Sequence, residues 1–202
     1  MEEASGGQPR RFGVFGGTFD PPHVGHVAMA RDVLVSERLS DVLWIPARRS
    51  PHKLDGASTA AEIRREMVAA AIEGLGGHDV DDMELRRESP SHSVDTLRAL
   101  HIKRPGERPV LILGSDQFET LHTWGEAAEV ARLADVCVVA RDGVDLAKLE
   151  PGLDVVWSMS PLAPVDVSSS DIRSRRKQGR SYRGLVPEGV AKIIEREDLY
   201  RG

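Results

Sequence analysis

Four short apolar runs constrain the fold of this chain more than anything else in it. They are Phe12-Gly13-Val14-Phe15, Val42-Leu43-Trp44-Ile45, Val110-Leu111-Ile112-Leu113 and Val136-Cys137-Val138-Val139. None alternates apolar with polar residues. A strand that is apolar at every position is buried on both faces, as in a parallel sheet covered by helices on each side. The stretches between the runs carry apolar residues at helical spacing and predict helices over 24–39, 60–75, 93–102, 126–133, 172–178 and 187–196. A weaker strand is expected at 80–85, where acidic residues interrupt the pattern, and another at 155–157. Ser93 and the serines before Asp171 offer helix N-caps, and Pro187 opens the last helix. Alternating strands and helices with right-handed crossovers give an α/β, Rossmann-like doubly wound parallel sheet with helices on both faces. Ligands in such folds bind at the carboxyl edge of the sheet. Gly16, Gly17, Gly114 and Arg141 each follow a strand and fall on that edge.

The length of 202 residues suits one domain, expected over 11–202 behind a flexible leader at 1–10. The net charge of -5 gives no general attraction to nucleic acid or to an anionic membrane. A phosphate ligand therefore needs a local basic pocket. The one cysteine, Cys137, cannot make an internal disulfide and reads as a packed core thiol. No apolar run is long enough to span a membrane, and the first residues have no apolar signal core. A cytoplasmic location is expected. The sequence leaves open whether copies assemble into a homo-oligomer.

The segment from Gly16 to His26 carries the chemistry. Gly16 and Gly17 let a ligand approach the backbone, and Thr18 and Phe19 follow them. Pro21 and Pro22 stiffen the loop. His23 and His26 stand three apart at the start of a predicted helix and share a face. A helix N-terminus favours an anion. Two imidazoles, close amides and a helix dipole suit the triphosphate of a nucleotide. A turn with incidental histidines and a metal site built from Asp20, His23 and His26 are the alternatives. A G-x-G-x-x-G dinucleotide turn is absent, since Thr18 to Pro22 interrupts it.

Gly16-Gly17-Thr18-Phe19-Asp20-Pro21-Pro22-His23-Val24-Gly25-His26 resembles the H-x-G-H signature of the nucleotidyltransferase superfamily. Its long form resembles that of the bacterial nicotinate-nucleotide adenylyltransferase family. Pro51-His52-Lys53, Ser93-Val94-Asp95-Thr96-Leu97, Gly114-Ser115-Asp116 with Trp124, Val167 through Arg173 and Leu185-Val186-Pro187 resemble further segments of that family, in order. Two positions depart from it: His92 stands where the family has tyrosine, and Ser93 where it has threonine. Ser170 replaces a threonine and keeps the hydroxyl.

The resemblance implies transfer of AMP from ATP, with Mg2+, to nicotinate mononucleotide, giving deamido-NAD and pyrophosphate. It implies His23, His26 and Arg173 as catalytic residues. Gly16, Gly17, Thr18, Phe19, Gly114, Asp116, Arg141, Ser169 and Ser170 would complete the ATP site. Lys53, Ser93, Thr96 and Trp124 would bind the mononucleotide, and no protein metal cage is implied. Asp116 can also be read as a helix cap, Trp124 as core packing and Lys53 as a solvated loop residue. Arg175, Arg176 and Lys177 read as a solvated helix face, and His78, His101 and His122 as surface or cap residues. A sister enzyme such as pantetheine-phosphate adenylyltransferase, or a non-catalytic nucleotide sensor, are the rival functions.

Overall fold

Phe12 and Val14 point to one side of the first strand and Gly13 and Phe15 to the other, and all four are buried. The same division runs across the sheet. Leu111, Leu113, Val136 and Val138 face one apolar cluster, whereas Val110, Ile112, Cys137 and Val139 face another. The structure, a computed structural model, describes residues 9–48, 59–87, 92–140 and 149–201.

The strands are β1 (Arg11–Gly17), β2 (Val42–Pro46), β3 (His78–Val80), β4 (Arg108–Gly114), β5 (Asp135–Val139) and β6 (Trp157–Met159). They form one six-stranded sheet in the order β3-β2-β1-β4-β5-β6, with every neighbouring pair parallel. The helices are α1 (Val24–Ser36), α2 (Ala61–Ala71), α3 (Ser93–Lys103), α4 (Ser115–Glu119), α5 (Ala127–Leu133), α6 (Ser169–Lys177) and α7 (Glu188–Arg196). Val94 and Leu97 of α3 and Val130 of α5 cover one face of the sheet; Ala30 and Val33 of α1 and Val68 of α2 cover the other. A third cluster joins Met67 and Ala71 of α2 to Ile172 of α6 and Val190, Ile193 and Ile194 of α7. The expected doubly wound α/β architecture is the one observed. The chain runs outward in opposite directions from β1 and β4, so a crevice opens between their carboxyl ends, where ligands bind in such sheets.

Several boundaries differ from the sequence reading for local reasons. Helix α1 ends at Ser36 rather than 39. Arg38 takes the left-handed region at φ 51, its N–H donates to the Val35 carbonyl, and the Leu39 N–H reaches back to the Leu34 carbonyl. That is a Schellman closure, and Leu39 is its buried apolar residue rather than a helical one. Helix α2 stops at Ala71, short of Gly74 at φ 77. No strand forms over 81–85; the third strand, β3, lies at His78–Val80 and shares only Val80 with the one expected. Beyond it the Asp81 carboxylate accepts from the Met83 N–H at 2.9 Å and turns the chain. His92, not Ser93, occupies the N-cap position of α3. Helix α6 starts at Ser169, capped by Ser168, whose hydroxyl accepts from the Asp171 N–H at 3.1 Å. The last strand lies at Trp157–Met159 rather than 155–157.

Candidate active site

The chain after β1 is shaped by what lies beneath it. A Cβ placed on Gly17 would come within 2.9 Å of the Phe19 ring, so only glycine lets that ring tuck under the backbone. Phe19 itself sits at φ 49, a strained conformation for an aromatic residue. Its ring is held by Phe15 at 5.4 Å, Trp44 at 5.4 Å and His26 at 5.2 Å between centroids. A Cβ on Gly16 would meet nothing within 4 Å. Gly16 therefore leaves open space at the carboxyl edge, as close approach of a ligand requires.

His23 and His26 close a capping box at the N-terminus of α1. The His26 N–H donates to His23 Nδ1 at 3.3 Å, and the His23 N–H donates to His26 Nδ1 at 3.1 Å. The rings stack with centroids 3.6 Å apart. An Nδ1 that accepts carries no proton, so each neutral ring holds its proton on Nε2. The cap thus selects the tautomer that presents a donor, and it does so at the positive end of a helix. Among the described residues no set of three His, Cys, Asp or Glu side chains gathers to hold a metal ion. The metal reading of Asp20, His23 and His26 therefore finds no geometry.

Helix α6 docks its N-terminus on this loop. The Arg173 guanidinium donates to the Asp20 carbonyl at 2.8 Å and to the Ser170 hydroxyl at 3.3 Å. The Ser169 hydroxyl donates to the Pro21 carbonyl at 2.8 Å. Gly25 permits the approach, since a Cβ there would stand 2.8 Å from Val167 Cγ1. The Val24 N–H, first of the helix, donates to the Leu185 carbonyl at 3.0 Å. The structure therefore brings together Gly16, Gly17, Thr18, Phe19, His23, His26, Ser169, Ser170 and Arg173. Farther along α6, Arg176 departs from the expected solvated face. Its side chain is mostly covered, lies over Tyr182 and reaches the Leu199 carbonyl.

Across the crevice, Gly114 ends β4 and holds the N-cap position of α4, a helix the apolar pattern did not reveal. Asp116 lies exposed in the first turn of α4, two residues after the N-cap position. Trp124 is half-buried and packs on the core cluster under α3, leaving part of its surface outward. His92 lies beside it, its Nδ1 3.7 Å from where a Gly125 Cβ would stand. Ser93 is half-buried at the start of α3. Thr96 is 3% exposed; its hydroxyl donates to Glu84 Oε1 at 2.7 Å and accepts from Arg87 at 3.1 Å. Lys53 and Arg141 lie outside the described residues. His78, expected at the surface, is buried and accepts from Trp44 Nε1 at 3.2 Å, whereas His122 is exposed as expected.

Sequence reasoning missed Arg64 and Tyr200. Arg64 donates to the Thr18 carbonyl at 2.6 Å, and the Tyr200 hydroxyl donates to Asp20 Oδ1 at 2.6 Å. A signal for the first was present. Arg64 stands with Met67, Val68 and Ala71 at the i, i+3, i+4, i+7 spacing of a buried stripe, where a charge is out of place.

A glycine loop, a paired-histidine cap and a docked arginine at the switch point of a doubly wound sheet define a nucleotide-binding α/β protein. A sequence model of the cytidylyltransferase-like family matches residues 14–175, from β1 into α6. A protein of Gemmatimonas aurantiaca named "Probable nicotinate-nucleotide adenylyltransferase" is 41% identical, covering 95% of this chain and 92% of its own length. One of the same name from Salinibacter ruber is 36% identical, covering 94% and 97%. The solved Plasmodium falciparum nicotinic acid mononucleotide adenylyltransferase complexed with NaAD has the same fold, with a TM-score of 0.80 over 95% of this chain and 97% of its own at 17% identity. The chain belongs to the cytidylyltransferase-like family and, within it, to the nicotinate-nucleotide adenylyltransferases. Among the described residues no helix is long and apolar enough to cross a membrane.

Proposed function

We propose that residues 11–202 act as one domain that transfers the AMP moiety of ATP to nicotinate mononucleotide, giving deamido-NAD and pyrophosphate in NAD biosynthesis. The observation that carries the phosphate half of this reading is the stacked His23–His26 pair, whose cap bonds hold both protons on Nε2 beside the docked Arg173. The names of the relatives support the choice of acceptor.

In this reading a phosphate oxygen of the mononucleotide attacks the α-phosphorus of ATP. A bond forms there as the bond to the β-phosphate bridge oxygen breaks, and pyrophosphate leaves with the electron pair. The attacking group is already an anion near neutral pH, so no general base is needed. The protein aligns the reactants and meets charge on the phosphate oxygens. His23 and His26 donate to those oxygens from α1. Arg173, Ser169 and Ser170 donate from α6, and the amides after Gly16 approach from below. Asp116 faces the ribose from α4. His92, Ser93 and the outward part of Trp124 meet the pyridine end, and Lys53 and Arg141 extend the two sites.

Mg2+ travels with ATP. The side chains proposed to meet the phosphates are nitrogen and hydroxyl donors that suit phosphate oxygens, so the cation would rest on the phosphates and water. When bound it neutralises charge on the leaving pyrophosphate.

Incubating the full chain with ATP, Mg2+ and, in turn, nicotinate mononucleotide, nicotinamide mononucleotide and phosphopantetheine tests the assignment. Pyrophosphate release with a dinucleotide of deamido-NAD mass is expected for the first, with the highest kcat/KM. No release with nicotinate mononucleotide overturns it.

A further inference from the structure

Arg64 is 1% exposed and makes no contact with solvent worth a charge. Its Nη1 donates to the Thr18 carbonyl at 2.6 Å, Nη2 to the Arg48 carbonyl at 3.2 Å and Nε to the Thr59 carbonyl at 3.2 Å. One planar fork therefore joins three stretches of chain. Thr18 belongs to the glycine loop, and Arg48 and Thr59 are where the described chain departs after β2 and returns before α2. Burial lowers the pKa of the guanidinium, and the charge of the neighbouring carboxylate of Asp20, 5% exposed, works against that shift. Asp20 Oδ1 accepts from the Tyr200 hydroxyl at 2.6 Å, and the Tyr200 oxygen accepts from the Thr59 hydroxyl at 3.3 Å. The Asp20 carbonyl is the one that accepts from Arg173.

Stability alone does not account for this arrangement. The stripe that holds Arg64 is otherwise Met67, Val68 and Ala71, and an apolar side chain of similar volume packs such a site without desolvating a charge. What the guanidinium adds is geometric. It holds the Thr18 carbonyl two residues before Asp20, whose own carbonyl accepts from Arg173, and Tyr200 draws the end of the chain onto the Asp20 carboxylate.

We propose that Arg64 and Tyr200 are positioning residues for the transfer, a brace that sets the glycine loop where the phosphates of ATP must lie. The proposal rests on adenylyl transfer being the reaction. Neither residue touches substrate. Lysine keeps the charge but cannot reach three carbonyls from one ammonium. Phenylalanine keeps the ring of Tyr200 but gives up the bond to Asp20.

The test compares the full-length wild type with Arg64→Lys and Tyr200→Phe. For each, circular dichroism gives the folded fraction at the assay temperature, calorimetry gives ATP affinity without acceptor, and steady state gives kcat and both KM values. Misplacing a phosphate-binding loop by a fraction of an ångström is expected to lower kcat about tenfold or more in Arg64→Lys and several-fold in Tyr200→Phe. KM for ATP should rise more than KM for the mononucleotide, in fully folded protein. Wild-type kcat and ATP KM with only a lowered Tm overturn the proposal, as does a loss that merely follows the unfolded fraction. If Arg64→Lys does not fold, Tyr200→Phe decides on the same terms. A wild type that binds ATP but releases no pyrophosphate sinks the adenylyl-transfer reading instead, and ATP affinity of the variants then judges the brace alone.

Discussion

At His23 one ring atom is committed to structure and the other is the one the proposed reaction uses. Nδ1 accepts the cap bond from the His26 N–H, which keeps the proton on Nε2, where the proposed transfer needs a donor. His23→Ala removes both. It should cost about 1 kcal/mol of stability through the lost cap, a fall in Tm of roughly 2–4 °C for a chain of this size. It should also lower kcat by about 10²–10³, as loss of an aligned donor to developing charge does. His23→Asn restores an acceptor for the cap. Its Tm should return toward wild type while kcat stays low, which thermal melts and pyrophosphate assays would separate. Cys137 is the residue-scale contrast. Burial pushes its thiol up to about 12, so it is a core group without nucleophilic character. Iodoacetamide should label it only after unfolding; rapid labelling of the native protein, read by mass spectrometry, would contradict this.

Between elements, the contact that matters is α1 against α6. Gly25 of α1 meets Val167, the residue before the Ser168 cap, with no room for a methyl group. Gly25→Ala should push the start of α6 away from Pro21 and Asp20, and with it Arg173. We expect kcat/KM for ATP to fall about tenfold or more, with a smaller loss in Tm. Val167→Ala opens the space, so the double variant Gly25→Ala/Val167→Ala should recover much of the activity. A double variant no better than Gly25→Ala alone would show that the methyl group acts through His23, whose ring is the other neighbour at 3.1 Å.

For the molecule as a whole, His78 links stability to pH. Burial first, and then the charge of Arg31, lowers its pKa, and its Nδ1 accepts from Trp44 across β2 and β3. The unfolded chain therefore takes up a proton more readily than the folded one. The contribution of His78 is present above about pH 6.5 and is lost as pH falls through the lowered folded value. Asp41 does not blur this window. Burial alone would raise its carboxyl, but hydrogen bonds from Arg104 and Ser40 hold it below the usual range. Thermal melts between pH 7.5 and 5 should show a falling Tm in the wild type and a flatter profile in His78→Gln, which keeps an acceptor that does not titrate.

The sequence by itself determined the layers, the parallel sheet and which residues fall on its carboxyl edge. These follow from local pattern, because a doubly buried strand must be apolar at every position and a glycine turn must follow where a ligand meets the backbone. It also singled out the stretch proposed to hold the phosphates, since Gly16 through His26 is one continuous segment with its own cap. Only the tertiary structure decided which distant groups hold that stretch in place. Arg64, Asp20, Arg173 and Tyr200 meet across separations of up to 180 residues, and no local pattern encodes such a meeting. Thr96 makes the same point in reverse. Its motif position gave no sign that Glu84 and Arg87, brought beside it by the turn after β3, hold its hydroxyl. Spacing along a chain reports which residues share a face. What that face meets depends on packing, where a buried polar group must find its partner from whatever part of the chain arrives.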